Sequence, residues 1–193
     1  MYGVLGKLNR YKTLGEQRLE DGTLLIGRAP HIAPQAWLHS IYPPLTIDDL
    51  AGLATAINAE IPEAYRTFLQ HYNGLKIFNT TFCLYGLRRN SGRSVNSVWQ
   101  PFNIIITNTL ERPKGATMNM FFIGGYDWDG SLIYIDNNTG EVHLCDGETV
   151  ASTFKWPGFE EMLDAEISRL ITLFDDGGKA LDEDASTLPG NLG

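Results

Sequence analysis

Cysteine is scarce in this chain of 193 residues, with only Cys83 and Cys145. Two thiols are too few for a secreted disulfide framework, and too few for a four-ligand zinc site without help from histidine. Long apolar runs are absent as well. No stretch reaches the roughly 18 residues of a spanning helix, and the N-terminus has no apolar core of a signal peptide. Basic charge is in short supply, with 15 Lys and Arg against 23 Asp and Glu, a net charge of −8. Such a balance does not neutralise phosphates, so neither nucleic acid nor an acidic membrane is expected as a direct ligand. A cytoplasmic protein in a reducing compartment is expected. The phosphate cradle G-x-x-x-x-G-K-[ST], the dinucleotide motif G-x-G-x-x-G, the nucleophile elbow G-x-S-x-G and the zinc motif H-E-x-x-H are all missing. The deaminase H-x-E…P-C-x-x-C signature is missing too. No cofactor or metal is therefore expected.

What is present is an ordered series of helix and strand signals. Residues 1–44 form an N-terminal extension with strand candidates at Thr23–Ile26 and Trp37–Tyr42. Thr46-Ile47-Asp48-Asp49 is a capping signature, and Ile47, Leu50, Leu53, Ala54 and Ile57 follow at helical spacing. A second helix is expected from Pro62, with Tyr65, Phe68, Leu69 and Tyr72 on one face and Asn73-Gly74 as its stop. The period then becomes extended. Strands are expected at Ile77–Tyr85, Phe102–Thr107, Phe121–Gly124, Ser131–Asp136 and Glu141–Cys145. Glycines at 130 and 140 close short turns, which predicts an antiparallel meander across Phe121–Cys145 with a central strand covered on both faces. A last helix carries an apolar stripe from Phe159 to Phe174 that only Glu166 interrupts. Residues 175–193 hold five acids, one lysine and little core material, and are expected to be a disordered acidic tail. Half of the net charge sits there, so the remainder is only mildly acidic.

Four constellations could bear chemistry. His143 and Cys145 lie two apart on one strand face, half of a metal or nucleophilic site, although paired semi-buried side chains explain them more simply. Asp127, Asp129 and Asp136 surround a turn but miss the spacing of a calcium loop, which favours solvated turn carboxylates. Arg88, Arg89 and Arg93 make a basic loop suited to an anion or acidic partner, against the plain reading of a solvated loop. Tyr126, Asp127, Trp128 and Asp129 join large rings to carboxylates in one turn, the composition of a binding hot spot or of a core lid.

Two segments together resemble a known family. Leu45–Leu50, followed by Ile61-Pro62-Glu63-Ala64-Tyr65-Arg66-Thr67-Phe68-Leu69 and Asn73-Gly74, is similar to the N-terminal helical signature of the SUKH superfamily, the Smi/Knr-type proteins. Phe121-Phe122-Ile123-Gly124-Gly125-Tyr126-Asp127-Trp128-Asp129-Gly130, with Tyr134-Ile135-Asp136 and Thr139-Gly140-Glu141-Val142, resembles its strand-turn-strand block. The likeness spans residues 45–174. It implies one α+β domain with a curved, mainly antiparallel sheet of five or six strands and helices packed against it. It also implies function by binding, with no catalytic motif: bacterial members are typically immunity proteins that neutralise toxins, and fungal relatives act in cell-wall assembly. The expected partner is a protein, a toxin, whose active site the domain occludes; an acidic inhibitor would be steered to a basic toxin. A scaffold or regulator working through its acidic tail is the alternative. A small-molecule binder or an enzyme with a pocket assembled around His143, Cys145 or Asp127 and Asp129 ranks behind both.

Overall fold

A computed structural model describes residues 3–90 and 98–190. A 3-10 helix, Gly3–Leu14, leads into strands β1 (Glu16–Arg18), β2 (Leu24–Arg28) and β3 (Trp37–Ile41). Helices α1 (Ile47–Ile57) and α2 (Glu63–Leu69) precede β4 (Leu75–Ile77) and β5 (Phe82–Leu84). A crossover with helix α3 (Ile104–Asn108) leads to β6 (Met120–Tyr126), β7 (Leu132–Asp136), β8 (Val142–Cys145) and β9 (Ser152–Trp156), and α4 (Phe159–Leu173) follows. Among the described residues these strands form one curved, open sheet in sequence order, every neighbouring pair antiparallel. The α+β class is as expected. The sheet is larger, with nine strands in place of five or six, because residues 1–44 contribute three of them and β9 a ninth.

Local chemistry explains most boundaries. Thr46 and Asp49 form a reciprocal capping box at the start of α1, with Asp49 N–H donating to Thr46 Oγ1 and Thr46 N–H to Asp49 Oδ2. Pro62 caps α2, whose Tyr65, Phe68 and Leu69 are buried. Gly130 and Gly140 both sit at φ +76°, the left-handed region that the β6–β7 and β7–β8 turns require. The expected meander of β6, β7 and β8 is present.

Three expectations are corrected. Ile77–Tyr85 is not one strand: Phe78 and Asn79 take positive φ and reverse the chain between β4 and β5. The Ile-rich segment Phe102–Thr107 is not a strand either. Asn103 accepts the Ile105 N–H through its side chain, and a short helix follows. Finally, residues 175–190 are folded back onto the domain. Asp175 accepts the N–H groups of Gly177 and Lys179, Leu181 N–H donates to Leu173 O, and Arg169 donates to the Thr187 carbonyl. Gly178 lies against Leu38 at φ +74°, where a Cβ would come within 2.3 Å of a Leu38 methyl.

Register assigns the sheet two faces. Ile41, Leu75, Leu84, Gly124, Ile133 and Leu144 are successive cross-strand partners on the inner face, which packs against the helices. Leu25, Ser40, Lys76, Cys83, Gly125, Leu132 and Cys145 form the matching row on the outer face. A small second core of Phe122, Tyr134 and Cys145, with Met120, Leu132 and Val150, covers the far end of that outer face. Strand β7 is therefore central and covered on both sides, as its sequence predicts.

Candidate functional site

The aromatic turn divides between core and surface. Tyr126 ends β6 on the inner face, is buried, and donates its hydroxyl to the carboxylate of Glu166 on α4. Arg169 closes the same network, with Nη2 2.6 Å from Glu166 Oε2. Burial and the adjacent Glu166 charge hold the Tyr126 phenol well above its ordinary pKa. Tyr126 thus belongs to the core and is not on the exposed turn. Asp127, Trp128 and Asp129 are exposed, Trp128 by 47%. Asp127 accepts from the Thr80 hydroxyl, and Asp129 accepts the Ser131 N–H at 2.9 Å.

The basic loop leaves the sheet after β5. Asn73 anchors its start by mimicking a strand: its Oδ1 accepts Leu87 N–H at 2.7 Å and its Nδ2 donates to Leu87 O at 2.9 Å. Arg88 donates through Nε to Asn90 O, and Arg89 reaches the Asp49 carboxylate at 2.6 Å. That ion pair and the capping hydrogen bonds, chiefly the Thr46 N–H, hold Asp49 below the usual carboxylate range. Arg93 lies outside the described residues.

Between these two predicted groups lies a face that the sequence did not announce. Lys76, in the middle of β4, projects from the outer face, half-buried, with Nζ 4.7 Å from the centre of the Phe102 ring. Burial lowers its pKa, and Arg88 is near enough to lower it further. Among the described residues no carboxylate lies within ion-pair distance of Lys76. Phe102 is 43% exposed and stands edge-on to Tyr85. Phe102, Tyr85 and Asp127 line one shallow cleft, which joins the aromatic turn to the crossover.

The crossover from β5 to β6 presents apolar surface beside these cations. Val98, Phe102, Ile106, Leu110 and Met118 are five of the ten exposed large apolar side chains among the described residues. Residues 76–126 contain six cations (Lys76, Arg88, Arg89, Arg93, Arg112 and Lys114) and one acid, Glu111, a net of +5. The other residues hold nine cations and 22 acids, a net of −13. The basic island is hidden in the total charge, because the acids outside it outweigh it.

The metal and nucleophile candidates resolve into structure. His143 stacks on Tyr134 at 4.9 Å and its Nδ1 pairs with the Ser152 hydroxyl. Cys145 is buried in the second core, and desolvation pushes its thiol up to about 12, far from a reactive thiolate. Cys83 is likewise raised to about 12 by burial. Asp136 is engaged by Asn119 Nδ2 and by the Asn138 N–H. Among the described residues no group of three or more His, Cys, Asp or Glu is placed to hold a metal, and no helix is long and apolar enough to cross a membrane.

The sequence model of the SMI1/KNR4 family (SUKH-1) matches residues 44–165, well over half of the chain. The chain belongs to the SMI1/KNR4 family. No curated relative matches it. The matched span takes in both α1–α2 and the β6–β8 block, whose buried aromatic side chains are architectural. Tyr65 stacks on Phe68, Phe159 meets both rings edge-on, and the Tyr65 hydroxyl donates to the Tyr85 carbonyl, fixing the strand end from which the basic loop departs. In this SMI1/KNR4 domain these aromatic side chains build the scaffold, and five of the ten exposed large apolar side chains among the described residues lie on the crossover.

Proposed function

We propose that this SMI1/KNR4 domain is a non-enzymatic, cytoplasmic protein-binding module of the immunity type, which neutralises a cognate toxin by covering its active site. The observation that carries this reading is the crossover itself: exposed Phe102, Ile106 and Leu110, spaced four residues apart, lie within a stretch of net +5 on an otherwise acidic chain. Apolar side chains ringed by charge are the composition of a protein interface, not of a solvated loop. Trp128 with Asp127 and Asp129, and Arg88 with Arg89, form its proposed rims.

Co-expression tests the proposal. The chain is expected to restore growth of cells carrying the toxin encoded beside its own gene, and to be recovered in a stoichiometric complex with it. Failure to bind or neutralise that protein, or a panel of unrelated toxins, contradicts the immunity reading.

A further inference from the structure

The N-terminal 3-10 helix, Gly3–Leu14, runs for 12 residues, far beyond the three or four usual for this helix type, whose hydrogen bonds are poorly aligned. Three residues per turn set Leu5, Leu8, Tyr11 and Leu14 in one line. Leu5, Leu8 and Tyr11 are buried in the main core, and Leu14 packs against it. Attachment is by side chains. Among the described residues, no backbone hydrogen bond joins residues 3–14 to the rest of the domain except where the chain continues, from Gly15 N–H to Lys12 O. Lys7 Nζ reaches Ser168 Oγ at 2.7 Å and Asp164 at 3.5 Å on α4, Lys12 pairs with Glu16 at 3.0 Å, and Arg10 pairs with Asp176. Every member of these ion pairs is at least one-third exposed, so each pair adds little.

The contact beneath the helix contains two unpaired polar atoms. His39, on β3 beside Ile26, is fully buried, with its ring centre 5.1 Å from that of Tyr11 and 4.9 Å from that of Phe78. Its Nδ1 accepts the Phe78 N–H, so the neutral ring carries its proton on Nε2, and that atom has no hydrogen-bond partner. The buried Tyr11 hydroxyl has none either. Both groups give up bonds to water when the helix docks and gain none. A second proton on His39 would go to Nδ1, whose lone pair the Phe78 N–H occupies, and among the described residues no carboxylate lies within ion-pair distance to balance the charge. The charged groups of this region gather around Tyr11 instead. Arg10 stands over its ring at 5.5 Å, and Asp175 and Asp176 act on its hydroxyl. Both carboxylates are engaged, Asp176 by Arg10 and Asp175 by the N–H groups of Gly177 and Lys179.

We propose that residues 3–14 form an acid-released arm: the helix lies closed over a neutral His39 and lifts as one unit when that ring takes up a proton, baring Leu5, Leu8 and Tyr11. The sign follows from linkage. In the open arm His39 is hydrated and titrates near its ordinary value of 6.5, whereas burial in the closed arm lowers that value to about 3. Closure is therefore fully present above about pH 6.5 and weakens as pH falls from there toward 3, with the opening constant rising about tenfold per pH unit. Lifting also returns water to the His39 Nε2 and the Tyr11 hydroxyl, which sets this element apart from the fully paired strands as the one that opens first.

Native-state hydrogen exchange of the full chain tests the arm, with rates corrected for the intrinsic pH dependence of amide exchange. The amides of residues 6–14 are expected to share one opening constant, larger than that of the β6–β7 amides. It should rise about tenfold from pH 7.5 to 5.5 and about a hundredfold to pH 4.5. His39→Gln should flatten this dependence. Tyr11→Phe, which removes an unpaired buried hydroxyl, should lower the opening constant about fivefold at every pH and keep the dependence. Asp176→Asn, which cuts the Arg10 tether, should raise it by the same factor at every pH. Exchange of residues 6–14 only through global unfolding, at the constant of the β6–β7 amides, overturns the arm. Opening without pH dependence, a dependence that survives His39→Gln, or one that is lost in Asp176→Asn overturns His39 as its trigger. Increased opening in Tyr11→Phe would mean that the hydroxyl is paired in the closed helix, which also contradicts the proposal.

Discussion

The Tyr126 hydroxyl donates to the buried carboxylate of Glu166, joining the end of β6 to the middle of α4. Arg169 completes the arrangement from the same helix and passes a second hydrogen bond to the Thr187 carbonyl at 2.7 Å. One buried carboxylate therefore ties the sheet, the last helix and the returning C-terminal segment together. It also explains why a glutamate interrupts the apolar stripe of α4: the position faces a phenol and a guanidinium, not hydrocarbon.

Removing one member should cost more than its hydrogen bond. Glu166→Ala leaves Arg169 buried and uncompensated, and is expected to lower stability by roughly 3–5 kcal/mol. Tyr126→Phe removes a single donor and should cost about 1–2 kcal/mol. Urea unfolding of the two variants checks the order. A loss in Tyr126→Phe equal to that in Glu166→Ala would contradict the network.

Asn108 performs a strand's work at the end of α3. Its Nδ2 donates to Phe122 O at 2.7 Å, and its Oδ1 accepts Phe122 N–H at 2.9 Å, on the stretch of β6 that runs beyond its pairing with β5. Asn108→Leu leaves both backbone groups buried and unpaired, which is expected to cost about 2–4 kcal/mol. Hydrogen exchange at the Phe122 amide should accelerate well beyond the loss of global stability. Unchanged protection at that amide would remove Asn108 from this role.

His39 should give the domain a pH-dependent stability. It is buried between Tyr11 and Phe78, its Nδ1 accepts the Phe78 N–H, and desolvation lowers its pKa from 6.5 to about 3. The folded-state value is depressed, so the neutral ring's contribution is fully present above about pH 6.5. It is lost as pH falls from there toward 3, because the unfolded chain takes up the proton first. The expected slope is about 1.4 kcal/mol per pH unit. Urea midpoints of the parent and His39→Gln between pH 7.5 and 4 measure it as the difference of two profiles. Parallel profiles would mean that His39 protonates in the folded state.

The elements with strong local chemistry were legible in the sequence. Thr46 and Asp49 announced a helix start, and Gly130 and Gly140 announced the meander. What escaped depended on partners distant in sequence. Asn108 turns an Ile-rich run into a helix end because Phe122 needs its carboxamide. Strands β1 and β9 carry mostly exposed polar residues, so no alternation marked them. The loop Arg88–Arg93 and the turn Asp127–Asp129 stood out by composition, whereas Lys76 and Phe102, which lie between them, did not. A lone lysine in a three-residue strand carries no signal until register puts it on the outer face. Net charge misled for the same reason, as an average over a basic island and an acidic remainder.

If the crossover and outer face bind the partner, its side chains should control neutralisation without controlling folding. The most direct measurement is the affinity of the purified chain for the toxin it neutralises, compared among the parent, Phe102→Ala, Lys76→Glu and Lys155→Glu with matched melting temperatures. The account predicts losses of about tenfold or more for Phe102→Ala and Lys76→Glu and none for Lys155→Glu. Parent-like affinity in both crossover-face variants would contradict it.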